Sequence, residues 1–394
     1  MDRLDTTGIL GGTFDPIHLG HLEMAEAVVR EMGVRKMLFI PDGDPPHKGE
    51  LADGRDRMNM VRLAIEGHAG FEANETELNR PGVTYTVETL KELTLRAPRT
   101  RWLYVVGSDT LMVIETWRNF PEVAKLLSAI AVVPRLGDRR ETVLSTAQRI
   151  SAQYGVMVKV LDKPVSRISS TEVRYRAARH QALDGLVPPA VAHYIRAHKL
   201  YRQPMLEELR RTMTPARYKH TLGVEEMAIA LAKKNGLDVR KAQLAALLHD
   251  GAKHMPMDEM VELVKDADAQ TAPGEDESRA LLHAAAGMVL AKEKFGVDDP
   301  EVLSAIRWHT TGRAGMTALD KVIYLADMIE PGRRFFPGLD LIREAAERDL
   351  DEAMAIAARR TVDYVRSRGM PLNERTLELL GSIEQQQRKK ESAT

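Results

Sequence analysis

Two groups of residues in this chain have the types and spacing that chemistry needs. The first is GGTFDPIHLGH, Gly11 to His21, where adjacent glycines, an Asp-Pro pair and two histidines three residues apart end the first apolar run. Imidazoles at i and i+3 share one face of a helix. Near its N-terminus, where free N–H groups and the dipole favour anions, they can donate hydrogen bonds to a phosphoryl group as charge develops. Gly11 and Gly12 let backbone approach a nucleotide closely, and Gly20 leaves the groove open. Asp15 and Pro16 suit the N-cap and first turn, with a start one or two residues later as the alternative.

The second group lies in the other half of the chain: His220 in RYKHTLGV, His249 and Asp250 in LLHDGAKH, His283 in LLHAAAG, His309 in WHTTG and Asp327 in YLADMIEPGR. Most fall inside apolar helical runs, where polar groups are costly to bury unless they satisfy one another or a metal. Adjacent His and Asp on a helix are about 100° apart, so both reach an ion only over the groove beside the helix. A smaller cluster is ISSTEVR, which puts the hydroxyls of Ser169, Ser170 and Thr171 at a helix start. Ser169 and Glu172 there match a capping box, and Arg174 about one turn in completes a second anion site. Lys48, in the loop PDGDPPHKGE, could close over a triphosphate as a mobile point charge. Trp117 can stack on a flat ring or serve as core. His47, His68, His180, His193, His198 and His254 lack such company and read as structural or solvated, with His47 set apart only by preceding Lys48.

These groups need elements to hold them. From residue 6 to about 160, short β-rich runs (TGIL, KMLFI, WLYVVG, AIAVVP, VMVKVL) alternate with helix-period stretches such as HLEMAEAVVREMG. That alternation predicts an α/β fold, a parallel sheet joined by crossover helices. After YRQP, residues 201–204, the strand signal stops, and amphipathic helices punctuated by glycine and proline run to about residue 383. The expected domains are 1–203, α/β, and 204–383, all-α. The polar, aperiodic end at 384–394 reads as a disordered tail, and no internal repeat is present.

At 394 residues and 44% apolar composition, each half can bury its own core. The absence of cysteine excludes disulfides, thiolate ligands and cysteine nucleophiles, so any metal must be held by His, Asp or Glu. No apolar stretch approaches the roughly 18 residues of a membrane span, and the first residues run into a strand without a leader. The expectation is a cytoplasmic protein with no membrane partner. With 56 basic and 57 acidic residues there is no sequence-wide footprint of a nucleic-acid binder, so the expected partner is a small molecule.

GGTFDPIHLGH resembles the GxFDPxHxGH signature of the nucleotidyltransferase superfamily, and further segments resemble one member family, nicotinate-mononucleotide adenylyltransferase. They are DPPHK at 44–48, YTVETL at 85–90, VVGSDTL at 105–111 followed by Trp117, VVPR at 132–135, ISSTEVR at 168–174 and LVPPAVAHYIRAHKLY at 186–201. The resemblance covers residues 6–201 in the family's order. It implies a Rossmann-like doubly wound sheet and transfer of AMP from ATP, accompanied by Mg²⁺, to nicotinate mononucleotide, giving deamido-NAD and pyrophosphate. It implies ATP contacts from Gly11, Gly12, Thr13, Phe14, His18, His21, Gly107, Ser169, Ser170, Thr171 and Arg174. Trp117 would face the pyridine ring, Thr84 and Tyr85 its carboxylate, Asp109 a ribose, and Arg135 the mononucleotide. Stabilisation of the reacting phosphates would fall to His18, His21, Lys48, Ser169, Ser170 and Arg174.

The order of His220, His249, Asp250, His283, His309 and Asp327 resembles the HD superfamily of metal-dependent phosphohydrolases. HTTG and YLADMIEPGR are similar to the branch that splits diadenosine tetraphosphate into two ADP, over residues 215–365. The resemblance implies two divalent ions on those six ligands, with Asp250 bridging and Lys253 and Arg333 on phosphates. Such ligands suit iron, manganese, nickel or zinc, with iron favoured. Gly251 departs from the pattern, where a larger apolar residue is usual. Alternatives are another acceptor for the first half, such as pantetheine phosphate or a cytidylyl-transfer substrate, and a second half that senses a nucleotide without turnover. A class I aminoacyl-tRNA synthetase is disfavoured because neither a KMSKS-like loop nor a basic RNA face accompanies the HxGH. The oligomeric state stays open, a homo-oligomer included.

Overall fold

Apolar runs whose every residue must be buried make strands covered on both faces, and the first half of the chain is built on such runs. The computed structural model describes residues 6–43, 51–267, 269, 271 and 274–391. The chain divides into two units, 1–203 and 204–394. In the first, six parallel strands, β1 Thr6–Gly12, β2 Lys36–Pro41, β3 Phe71–Ala73, β4 Arg101–Gly107, β5 Ala129–Val133 and β6 Met157–Val160, lie in the order β3-β2-β1-β4-β5-β6. Leu10 pairs with Phe39 and Ile9 with Tyr104. Leu10, Phe39, Val105 and Ala131 enter one core, and Ile9, Leu38, Tyr104 and Ile130 the other. That is the period of two of a sheet with both faces covered.

The covering helices are α1 Leu19–Met32, α2 Gly54–Ile65, α3 Thr86–Arg96, α4 Ser108–Val113, α5 Phe120–Leu126, α6 Arg140–Tyr154, α7 Ser170–Ala178 and α8 Pro189–Ala197. The strand order reverses between β1 and β4, which opens a crevice at their C-terminal ends. The sequence pattern does not predict β3, whose three residues are too short for any periodicity.

The second unit is helical throughout its described residues: α9 Pro204–Thr212, α10 Pro215–Lys234, α11 Val239–Leu248, α12 Met257–Asp266, α13 Arg279–Phe295, α14 Pro300–Trp308, α15 Ala318–Ile329, α16 Leu339–Ala346, α17 Leu350–Ser367 and α18 Glu374–Glu391. α10 packs on α11 and α15, and α14 on α11, α13 and α15. The tail expected from residue 384 continues α18 to Glu391, because its Gln, Arg, Lys and Glu residues are good helix formers. No described helix is long and apolar enough to cross a membrane.

Arg57, on α2, holds together the turns that follow β1 and β2. Only 3% exposed, it donates from Nη1 to the carbonyls of Thr13 and Asp42, both at 2.8 Å, from Nη2 to Gly43 at 3.2 Å and from Nε to Ala52 at 3.1 Å. Its removal leaves buried carbonyls without donors, at about 1–3 kcal/mol each where water cannot replace them. Arg57→Met should therefore lower the unfolding free energy of the first unit by at least about 2 kcal/mol in urea titration. An unchanged midpoint would refute this role.

Candidate functional site

In the first unit, a cleft of about 810 Å³ opens over the β1/β4 crevice. It collects many of the residues singled out from the sequence: Gly11 and Gly12 from β1, His18 and His21 at the start of α1, and Gly107 at the end of β4. Thr84, Tyr85, Trp117 and Arg135 line it as well. The His18 and His21 rings stack with centroids 3.7 Å apart, and His21 Nδ1 accepts the His18 backbone N–H at 3.2 Å. α1 thus begins at Leu19 with His18 at the cap. Asp15 does not cap it, because its carboxylate accepts the Tyr201 hydroxyl at 2.8 Å and the Ala52 N–H at 3.3 Å. A Cβ on Gly20 would lie 3.1 Å from His18 Nδ1, so this glycine gives the imidazole its space. A Cβ on Gly11 would overlap the Tyr104 hydroxyl; the packing of β1 on β4 demands glycine there before any ligand does.

The other predicted residues lie around the cleft rather than in its wall. Thr13 donates to Asp42 at 3.0 Å, and Phe14 sets its ring edge-on to His21 with centroids 5.0 Å apart. Ser169 caps α7 by accepting the Glu172 N–H at 3.2 Å, while the Glu172 carboxylate pairs with Arg176, so half of the expected capping box forms. Ser170 donates to the Pro16 carbonyl at 2.9 Å, and Arg174 donates to the Asp15 carbonyl at 2.6 Å and to Thr171 Oγ1 at 3.3 Å. The start of α7 is thereby fastened to the Asp15-Pro16 turn that precedes α1. Asp109 is half-exposed and paired with Arg135 at 3.0 Å. Lys48 lies outside the described residues.

Sequence reasoning missed Glu77, Tyr104 and Arg118, which also line the cleft. Glu77 accepts the hydroxyls of Thr84 at 2.9 Å and Thr89 at 2.8 Å, and burial raises its pKa. The Arg118 guanidinium lies 4.4 Å from the centre of the Tyr85 ring. A lone charged residue in a loop has no periodic signature; adjacency to Trp117 was the one available cue for Arg118.

In the second unit, the six predicted ligands converge. His220 comes from α10, His283 from α13 and Asp327 from α15. His249 and His309 stand just past the ends of α11 and α14, so the His-Asp pair lies in a turn and not within a helix as expected. Gly251 follows in that turn, where a Cβ would come within 3.1 Å of the Leu248 carbonyl.

Asp250 lies at the centre: its Oδ1 is 3.1 Å from His283 Nε2 and 3.7 Å from His309 Nε2, and its Oδ2 is 3.3 Å from His249 Nε2 and 4.0 Å from His220 Nε2. Asp327 Oδ1 is 2.9 Å from His220 Nε2 and 3.9 Å from His249 Nε2. Burial works to raise the Asp250 pKa, but the neighbouring imidazoles, His249 first, hold it well below the usual carboxylate range. Around the cluster stand Lys253, 3.6 Å from Asp250, and Arg333, 3.7 Å from Asp327. Arg217, also missed from sequence, lies 2.7 Å from Asp250.

The cluster fits a divalent cation. His249 donates from Nδ1 to the Ala246 carbonyl at 2.6 Å and His309 to that of Ile306 at 2.7 Å, which turns each Nε2 lone pair inward. His249 Nε2 and Asp250 Oδ1 are buried without a hydrogen bond, which is costly unless another group fills the space. The trios His220, His249, Asp327 and His249, Asp250, His309 each bring donor atoms within 4.8 Å of one another.

His18 is buried and its Nδ1 has no hydrogen bond. Burial first, and the positive charge of Arg135 second, lower its pKa to about 4. The unfolded chain therefore binds this proton near pH 6.5 and the folded chain only near 4, so stability is lost as the pH is lowered from about 6.5 to about 4. An NMR titration should find His18 still neutral at pH 5.5, and His18→Gln should flatten the stability curve between those values. A His18 titration near 6.5 would refute the burial argument.

The cytidylyltransferase-like family matches residues 9–176, and the HD domain family residues 217–332. A protein of Synechococcus sp. (strain JA-3-3Ab) named "Probable nicotinate-nucleotide adenylyltransferase" is 42% identical over 202 residues, 50% of this chain and 95% of its own length. One of Mycoplasma pneumoniae, named "Probable nicotinate-nucleotide adenylyltransferase/Ap4A hydrolase", is 29% identical over 91% of this chain and 98% of its own length. A crystal structure from Clostridium acetobutylicum, titled as a predicted HD superfamily hydrolase involved in NAD metabolism, shares 38% identity over 46% of this chain and 96% of that one, with a TM-score of 0.45. With its cleft, its histidine pair and the Synechococcus relative, the chain belongs to the nicotinate-nucleotide adenylyltransferase family, and it carries an HD domain after the transferase unit.

Proposed function

We propose that the first unit transfers AMP from ATP to nicotinate mononucleotide and that the second hydrolyses diadenosine tetraphosphate to two ADP. The observation that carries the first half is the stacked His18–His21 pair in the same cleft as Trp117, Thr84 and Tyr85, at the sheet's switch point. A phosphate oxygen of the mononucleotide attacks the α-phosphorus of ATP, the bond from that phosphorus to the β-phosphate oxygen breaks, and pyrophosphate leaves. No protein nucleophile is needed. His18 and His21 donate to the phosphoryl oxygens, Arg135 offsets charge on the mononucleotide side, and Trp117 stacks on the pyridine ring. Arg174 and Ser170 hold the Asp15-Pro16 turn that presents the histidines and can turn toward the triphosphate from there; the family resemblance assigns Lys48 to the same phosphates. Mg²⁺ arrives on the triphosphate.

For the second half, the support is the convergence of five His and Asp side chains in two ligand-like trios, with His283 beside Asp250, and the two-part name of the Mycoplasma relative. His220, His249, Asp250, His283, His309 and Asp327 would hold the cations, iron first, with manganese, nickel or zinc as alternatives. When bound, such cations supply an acidified water and Lewis-acid stabilisation of phosphate oxygens. Lys253, Arg333 and Arg217 stand where they can take the phosphates, and substrate phosphate can replace Asp250 as the Arg217 counter-charge.

Product analysis on the full-length protein tests both. With ATP and nicotinate mononucleotide it should form deamido-NAD, faster than with nicotinamide mononucleotide or pantetheine phosphate, and His18→Ala should lower kcat by about a hundredfold. Loaded with manganese or iron, it should form ADP from diadenosine tetraphosphate, and Asp250→Asn should abolish this while leaving adenylyl transfer intact. Binding of diadenosine tetraphosphate without turnover by the loaded wild type would replace the hydrolase with a nucleotide sensor.

A further inference from the structure

Glu330 touches the HD cluster without belonging to it. It follows α15 directly and is 3% exposed. One oxygen, Oε1, lies 3.2 Å from His220 Nδ1; the other, Oε2, accepts the Gly332 backbone N–H. Its carboxylate sits in a space left by two glycines: a Cβ on Gly223, one turn after His220 on α10, would come within 2.5 Å of Oε2, and one on Gly332 within 3.0 Å. Arg343 fixes the backbone there, donating to the carbonyls of Ile329 at 3.2 Å and Glu330 at 3.0 Å. We propose that Glu330 is a positioning residue for the metal centre: it keeps a proton on His220 Nδ1 and so leaves Nε2 free to act as a ligand.

The argument rests on the metal-centre reading and on which atoms accept. His249 and His309 secure their Nδ1 protons on carbonyls three residues back in their own helices. His220 instead takes a side chain from a residue 110 positions away. Both nitrogens of His220 face carboxylate oxygens, Nδ1 toward Glu330 and Nε2 toward Asp327 at 2.9 Å. A neutral ring serves only one of them with a proton, and a cation held by His220 and Asp327 would remove the conflict. A carboxylate suits the Glu330 position because both of its neighbours are donors, and it accepts from each. Glutamine cannot do the same. With its oxygen toward Gly332 its NH₂ faces Nδ1 and drives the proton to Nε2, and with its oxygen toward His220 its NH₂ opposes the Gly332 N–H.

The test measures Mn²⁺ binding to the full-length protein by titration calorimetry, together with the ¹⁵N resonance of His220 Nδ1. Glu330→Gln should weaken Mn²⁺ binding ten- to a hundredfold, on the scale of lost outer-shell partners, and move Nδ1 toward the unprotonated shift. Gly223→Ala displaces the carboxylate while leaving its charge and every ligand in the sequence, and should weaken binding in the same direction. It serves as the measurement if Glu330→Gln does not fold. Unchanged affinity with Nδ1 still protonated in the folded variants would overturn the proposal. A wild type that takes up no Mn²⁺ would refute the metal-centre reading, and the Nδ1 resonance would still decide the role of Glu330.

Discussion

A polar atom taken out of water must find another polar atom, and this constraint organises both units. The HD cluster concentrates four imidazoles and two carboxylates among apolar helices, and in doing so leaves His249 Nε2 and Asp250 Oδ1 without hydrogen bonds. The surrounding helices pack on apolar residues that themselves need no such pairing: Val224 and Ala228 of α10, Ala245 of α11, and Val322 and Ile323 of α15 are all buried. The helical unit is therefore held together by ordinary packing, and His249 Nε2 and Asp250 Oδ1 stand together where a cation can meet them. In the transferase unit the same constraint is met by Arg57 and Arg174, whose guanidiniums satisfy carbonyls in the turns after β1 and β2. Those turns can then stay irregular enough to form a cleft.

The fold could be read from the sequence because its largest signals are repetitive. Strands such as WLYVVG and AIAVV are apolar throughout, since both faces of the sheet are buried, and the helices of the second unit carry a long amphipathic period. β3 escaped because three residues have no period. The start of α1 at Leu19 was obscured because Asp15 and Pro16 form a plausible cap pair, whereas Asp15 is engaged by Tyr201, 186 residues further along. Local propensity cannot anticipate that contact.

The sites were legible to the extent that residue types were unusual for their surroundings. Histidines in apolar runs and a double glycine after a strand stand out in one sequence. Arg57, Glu77, Arg217 and Glu330 do not, for each is a common charged residue whose role comes from long-range geometry. Arg217 reaches Asp250, 33 residues away, and Glu330 reaches His220, 110 residues away. The outer residues that orient a site are the ones a sequence conceals, because their chemistry is ordinary and only their placement is special.

The two proposed chemistries place opposite demands on imidazole, and the structure treats the histidines accordingly. In the cleft, His18 is kept neutral by burial and by Arg135 and is not anchored by any hydrogen bond from its Nδ1. A polyphosphate arriving beside it would offset both effects, since its negative charge favours the protonated ring in a poorly solvated place. The imidazole can then become a stronger donor at the moment an anion is present, and stay neutral otherwise. In the HD cluster, an imidazole must not take up a second proton, because a protonated ring repels a cation and has no lone pair to offer. Fixing Nδ1 on a carbonyl or on Glu330 leaves Nε2 to the cation, and burial, which lowers the pKa of His283 to about 4, works to the same end. Burial thus serves an anion site through a ring left free to gain a proton, and a cation site in which His220, His249 and His309 have an acceptor at Nδ1 on the outside.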